Sequence, residues 1–247
     1  VSIQSVQRAV AILRCLSGSR RLGVSELSEQ LELAKGTVHG LLSTLRDEGF
    51  VEQDADTGKY QLGHALLQLG TSYLDVNELR QRALARADWL AQKSQCSVRV
   101  AVLRGGNALI IHHVFRPDNS LQILEVGSNL PLHATALGKA LVSHASLEPR
   151  VWPRLTKNTQ TDNVKLEAEL QLTREQGWAL EAEEAVLTEA GVAAPIFDRK
   201  QEVIGSIGIS GAVRELLVDD APKAELVQLV LEAARHISRE LGARLMG

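Results

Sequence analysis

Residues 25–51 constrain the fold most tightly: S-E-L-S-E-Q-L-E-L-A-K-G-T-V-H-G-L-L-S-T-L-R-D-E-G-F-V. Apolar residues recur at spacings of three and four, interrupted once by the short turn Glu32-Leu33-Ala34. That pattern predicts a short helix over Ser25 to Leu31, with Val24, Leu27 and Leu31 inward. A second helix is expected over Lys35 to Glu48, with Val38, Leu41, Leu42 and Leu45 inward and Gly49 closing it. Upstream, Ser5 is expected to cap a helix with Val6, Ala9, Val10, Leu13 and Leu16 on one face. Downstream, F-V-E-Q and K-Y-Q-L alternate and flank D-A-D-T-G, a good hairpin turn. Three helices and a hairpin make a winged helix-turn-helix.

In such a unit the second helix of the pair reads the DNA major groove. Its outward positions would be Lys35, Gly36, Thr37, His39, Gly40, Ser43 and Thr44. They are small, polar or basic, and no acid interrupts them before Asp47. A surface that approaches phosphates needs that composition. Lys35 sits at the helix start, where free N–H groups also favour anions. Lys59 and Gln61 in the wing, and Arg8, complete the expected DNA-facing set. Two glycines inside one helix are notable, because each costs about 1 kcal/mol relative to alanine.

Charge gives only local support. The chain of 247 residues carries a net charge of -3. Residues 1–25 hold Arg8, Arg14, Arg20 and Arg21 and no acid, but by residue 70 acids outnumber bases by eight to seven. A DNA surface must therefore arise from segregation of charge. With 45% hydrophobic and only 3% aromatic residues, the core must rest on aliphatic side chains. No apolar run approaches the roughly 18 residues of a membrane span, and the first residues show no signal-peptide pattern. A cytoplasmic protein is expected. Cys15 and Cys96 read as small buried hydrophobes without a disulfide.

Beyond the wing, His64 to Leu74 reads as a connecting helix and Asn77 as the cap of a longer one reaching about Ser94. The expected domains are 1–62, a connector over 63–76, and 77–247. The second part mixes helices with grouped strands and is α+β. S-V-R-V-A-V-L, A-L-I-I-H-H-V, L-Q-I-L-E-V, V-A-A-P-I-F and V-I-G-S-I-G-I-S are strand-like. Helices are expected near Thr135 to His144, Val164 to Glu175 and Pro222 to Leu245. Trp89 is expected on the inner face of its helix. His112 and His113 point to opposite strand faces and make a poor metal pair. Of Glu183 and Glu184, one should be solvated and one structural. No cofactor motif and no nucleophile–base set appears.

The stretch from I-Q-S-V-Q-R-A-V-A-I-L to G-K-Y-Q-L-G resembles the winged helix-turn-helix of IclR-type transcriptional regulators. L-P-L-H-A-T-A-L-G-K-A-L at 130–141, A-L-E-A-E-E at 179–184, V-A-A-P-I-F-D at 192–198 and I-S-G at 209–211 follow that family's pattern in order. The resemblance implies a GAF-like effector-binding domain with an antiparallel sheet. It also implies a small-metabolite effector, an approximately palindromic operator, and a homodimer or a tetramer built from dimers. Ala136, Leu137, Gly138, Glu181, Gly191, Gly208 and Ser210 would line the pocket. Gly191 and Gly208 stand where relatives carry larger or hydrogen-bonding side chains, which implies a roomier pocket. A narrower resemblance, in R-R-L-G, L-A-K-G-T-V-H-G and E-G-F-V-E-Q-D, points to the glycerol-operon regulator branch. The effector would then be glycerol 3-phosphate or a related polyol phosphate, with Arg99, Arg104, Arg116 and His133 available to hold it. The alternative reading is a metabolite-processing enzyme with a helical interaction module.

Overall fold

A computed structural model describes residues 2–19, 21–118, 120–145 and 148–244. Arg20 and the expected helix end at Leu245 lie outside the described residues. The chain divides into two compact units, residues 1–76 and 77–247.

In the first unit α1 (Gln4–Gly18), α2 (Val24–Gln30) and α3 (Lys35–Asp47) pack around Ile12, Leu16, Leu27, Val38 and Leu42. β1 (Val51–Gln53) and β2 (Tyr60–Leu62) pair antiparallel as the wing. Ile3, not Ser5, occupies the α1 cap position, and no side chain caps it. Val6 and Val10 do not join the core as expected. They are 57% and 41% exposed and share an apolar strip with exposed Ile3. Ile12 takes the inner position, because α3 and the wing cover only one side of α1. α4 (His64–Asp75) buries no residue, and Leu67, Leu69 and Tyr73 are exposed.

The second unit opens with α5 (Glu78–Ser94), whose cap Asn77 accepts a hydrogen bond from the Arg80 N–H at 2.9 Å. Leu79, Ala83, Ala87 and Leu90 face inward. Trp89 is only half-buried, with Arg86 over its ring, because the inner stripe runs through Ala87, Leu90 and Ala91. β3 (Ser97–Arg104) and β4 (Asn107–Val114) form a hairpin turned by Gly105 and Gly106, both at positive φ, which a two-residue hairpin requires. Next come β5 (Asn129–Leu130), α6 (Ala136–Val142), α7 (Asn163–Gln176), β6 (Ala179–Ala182), β7 (Glu189–Phe197) and β8 (Val203–Ala212). The chain closes with α8 (Val213–Leu216), the short pair β9 (Leu217–Val218) and β10 (Ala221–Pro222), and α9 (Ala224–Glu240). The six-stranded sheet has order β5-β4-β3-β8-β7-β6 and every pair is antiparallel. α5 and α9 cover one face, and α6 covers the other.

The strand-like segment 121–126 is not a strand. Residues 127–130 occupy the free edge of β4, through Gly127 N–H to Ile110 O and the β5 pairing. Leu121 is left 100% exposed.

Candidate functional site

On the first unit, α3 presents Lys35, Gly36, His39, Gly40 and Thr44 exposed, with Thr37 and Ser43 half-exposed. An added Cβ at Gly36 or Gly40 would meet no atom within 4 Å, so neither glycine is needed for packing. Ala34 caps α3 without a side-chain hydrogen bond, and its first turn holds no acid. Unsatisfied N–H groups at that end suit a phosphate oxygen. The Thr44 hydroxyl donates back to Gly40 O at 3.2 Å. The wing residues are already engaged. Lys59 Nζ lies 3.0 Å from Glu26 Oε1, and Gln61 Oε1 accepts from Arg21 Nε at 3.1 Å. Arg8 is half-buried on α1.

On the second unit, the sheet face beneath α6 carries one continuous row. Glu181 of β6 pairs with Gly191 of β7, Gly191 with Ser210 of β8, and Ser210 with Ser97 of β3. In the next row, Arg99 pairs with Gly208, and Gly208 with Ala193. Strand alternation puts all of them on the same face. The start of α6 closes this floor over a cavity of about 110 Å³. Ala136, Leu137, Glu181, Gly191, Gly208 and Ser210 line it, as do Arg99, Glu125, Thr135 and Glu189. A space of this size has room for a small molecule rather than a drug-sized one. Thr135 fixes the lid by accepting from Gly138 N–H at 3.1 Å and donating to Pro131 O at 2.7 Å. Ser206 Oγ ties α6 to β8 by donating to Leu137 O at 3.0 Å.

Two glycines play other parts than expected. Gly138 does not line the cavity. A Cβ there would fall 2.5 Å from Leu132 Cα, so glycine is needed to seat α6 on residues 131–132. Gly208 lines the cavity with backbone only, and it leaves no extra room. A Cβ there would lie 2.6 Å from Ala193 Cβ and 2.7 Å from Val192 O. Gly191 does open space, since a Cβ there would sit 3.4 Å from Glu181 Oε2 and 3.6 Å from Ala136 Cβ.

The electrostatics are mixed. Glu181 is buried, and Oε1 accepts from the N–H groups of Glu184 and Ala185 at 3.0 and 3.4 Å. Burial nevertheless dominates and pushes its carboxyl up to about 7. Arg99 donates through Nε to Glu125 and through Nη1 to Ser210 Oγ. His113 lies beside them, with Nε2 2.8 Å from Ser97 Oγ, and burial followed by the Arg99 charge lowers its pKa. His112 faces the opposite side, near Arg80 and Asp88 of α5. His133 is turned elsewhere, with Nε2 2.9 Å from Pro153 O and its ring stacked on Trp152. Neither it nor exposed Arg104 reaches the cavity, and Arg116 lines only an adjoining groove. Among the described residues no three His, Cys, Asp or Glu side chains cluster as a metal site.

Behind the cavity lies a network that sequence spacing did not expose. Lys139 of α6 is 2% exposed, and its Nζ donates to Glu169 and Glu184, each at 2.6 Å, and to Leu180 O at 3.3 Å. Its signal was a lysine inside the apolar run A-L-G-K-A-L, which must find partners if buried. Glu184 is the structural member of the adjacent glutamates, and Glu183 is the more solvated one. Arg99 had a signal too: it interrupts the apolar strand S-V-R-V-A-V on the face that α6 covers.

Two family models match the chain. The IclR helix-turn-helix domain matches residues 5–55, and the bacterial transcriptional regulator IclR C-terminal domain matches residues 71–239. The chain is 48% identical over 248 residues to a glycerol operon regulatory protein of Streptomyces griseus, covering 98% of each chain. It is 49% identical to the protein of the same name from Streptomyces coelicolor, again covering 98% of each. The crystal structure of an IclR transcriptional regulator from Alicyclobacillus acidocaldarius superposes with a TM-score of 0.80 at 24% identity, covering 98% of each chain. These relatives are regulators, which sets aside the enzyme reading. The chain belongs to the IclR family of bacterial transcriptional regulators.

Proposed function

We propose that this regulator represses a catabolic operon and that a small hydroxylated metabolite loosens its hold on a two-fold-symmetric operator. Glycerol 3-phosphate is the first candidate. One observation carries the reading: a cavity bears a cation, a hydroxyl and a carboxyl on its floor, in Arg99, Ser210 and Glu181. It occurs in a chain nearly half identical, from end to end, to proteins named for the glycerol operon. Glu181 would accept from a ligand hydroxyl, since an ionised carboxylate repels an anionic group. The protein would act in the cytoplasm as a homodimer, with tetramers as the further assembly. The apolar strip Ile3, Val6 and Val10 on α1, and Leu67, Leu69 and Tyr73 on α4, support self-association of the DNA-binding unit. Two α3 helices on one dimer would then meet two half-sites. The effector must bind the operator-competent and released arrangements with different affinity.

The test begins with selection of an operator from random duplexes by the full chain. Anisotropy titrations follow, with and without glycerol 3-phosphate. The expected result is salt-dependent binding to a two-half-site duplex, weakened about tenfold or more by the ligand, a coupling of about 1.4 kcal/mol. Equal operator affinity at saturating ligand removes glycerol 3-phosphate as the effector.

A further inference from the structure

Arg99 sits on central strand β3, between β4 and β8, so its backbone is fixed from both sides. Its side chain is only 19% exposed. Its carboxylate partner, Glu125, is held quite differently. The described residues of segment 115–128 form no helix or strand. Glu125 itself is anchored by its N–H to His113 Nδ1 at 3.2 Å and by its carbonyl, which accepts from Ser128 N–H at 2.9 Å. Leu121, Ile123 and Leu124 of this segment are exposed and bury little. Moving the segment therefore disturbs little core.

The Arg99–Glu125 pair borders two spaces at once. The cavity beneath α6 lies on one side, and a more open groove lies on the other, with Glu125, Arg99 and Ser210 lining both. We infer that Glu125 is a built-in stand-in for the anionic group of the effector. The ligand's phosphate or carboxylate takes the Arg99 guanidinium and the Ser210 hydroxyl, and Glu125 swings away into the outer groove. The inference rests on the effector reading of this cavity.

Charge favours exchange over simple addition. With Glu125 in place, the arginine charge is cancelled, and Glu181 and Glu189 also face the cavity. An anion added there meets the Glu181 and Glu189 carboxyls and no uncancelled cation among the lining residues. An anion exchanged for Glu125 keeps the pairing of a largely buried guanidinium, which is costly to leave unpaired. Guanidinium binds carboxylate and phosphate through the same forked geometry. The ligand class is thus a small molecule with one anionic head. An uncharged polyol gains nothing from the exchange. Internal occupancy lowers apparent affinity by the fraction of molecules in which Arg99 is free.

The test uses the full chain as wild type, E125A, E125Q and R99A, with inorganic phosphate, glycerol 3-phosphate and glycerol as probes in titration calorimetry. Both Glu125 variants should bind the two anions more tightly than wild type, E125A by about tenfold or more. R99A should bind neither anion, and the tightening in the Glu125 variants should appear for the two anions and not for glycerol. E125Q keeps the shape of the segment, so a folding defect in E125A does not block the comparison. Anion binding by the Glu125 variants that is absent, or no tighter than wild type, overturns the inference, as does full anion affinity in R99A. Operator affinity measured alongside separates the two levels. If a ligand fills the cavity by exchange but leaves operator affinity unchanged, the effector reading fails and the exchange stands.

Discussion

Lys139 Nζ lies 2.6 Å from Glu184 Oε1, and the Glu184 N–H in turn lies 3.0 Å from Glu181 Oε1 on the cavity wall. A buried ammonium thus supports, through one residue, the carboxyl that faces the cavity. Removing one partner from a buried ion pair leaves the other charge unpaired and costs about 3–5 kcal/mol. Lys139→Met should lower the unfolding free energy by that order, read from urea midpoints. A loss well under 1 kcal/mol would show that water reaches the network.

Glu181 gives a pH signature. Burial holds its carboxyl near 7 in the folded chain, against 4.5 for the free group. An acid raised in this way binds its proton more tightly when folded. Stability is therefore lost as pH rises from about 4.5 to about 7, and is level beyond. Glu181→Gln keeps an acceptor for the Glu184 and Ala185 N–H groups and removes the titration. Above about pH 8 it should exceed wild type by at most on the order of 3 kcal/mol, and the gap should close toward pH 4.5. A gap independent of pH contradicts the raised carboxyl.

The two glycines of α3 separate folding from recognition. Nothing lies within 4 Å of a Cβ at either position. Gly36→Ala and Gly40→Ala should each stabilise the chain by about 1 kcal/mol, measured by thermal unfolding. Both should weaken binding to the selected operator if the backbone approaches the duplex closely there. Gly40→Arg should raise affinity for random duplex and change the preferred sequence. If it alters neither, Gly40 does not face DNA.

Lys35 stands at a helix end that no side chain caps. Lys35→Ala should weaken binding to specific and random duplexes alike, and flatten the salt dependence by about one phosphate contact. A change confined to sequence preference would assign Lys35 to bases instead.

Local patterns carried much of this structure. The periodicity of V-H-G-L-L-S-T-L marks both the inner and outer faces of α3, and Asn77 announces α5 because a cap acts within three residues. Relations between distant residues were not legible. Lys139 meets Glu169 and Glu184 only after α7 and β6 are in place. Gly208 resembles a space-making substitution until Ala193 is seen against it. Segment 121–126 has the composition of a strand, but residues 127–130 hold the edge it would need. Val6 and Val10 fit the helical stripe of α1, yet the neighbouring elements cover only the side that carries Ile12 and Leu16.

Ser210 is where the cavity and the regulatory reading meet, because it lines the floor and accepts from Arg99. The decisive measurement is the operator dissociation constant of wild type and Ser210→Trp, each with and without glycerol 3-phosphate. A tryptophan there fills the cavity and lies outside the DNA-binding unit. Wild type should lose operator affinity about tenfold or more with ligand, while S210W should bind the operator as tightly as unliganded wild type and ignore the ligand. A full ligand response in S210W would place the effector somewhere other than this cavity.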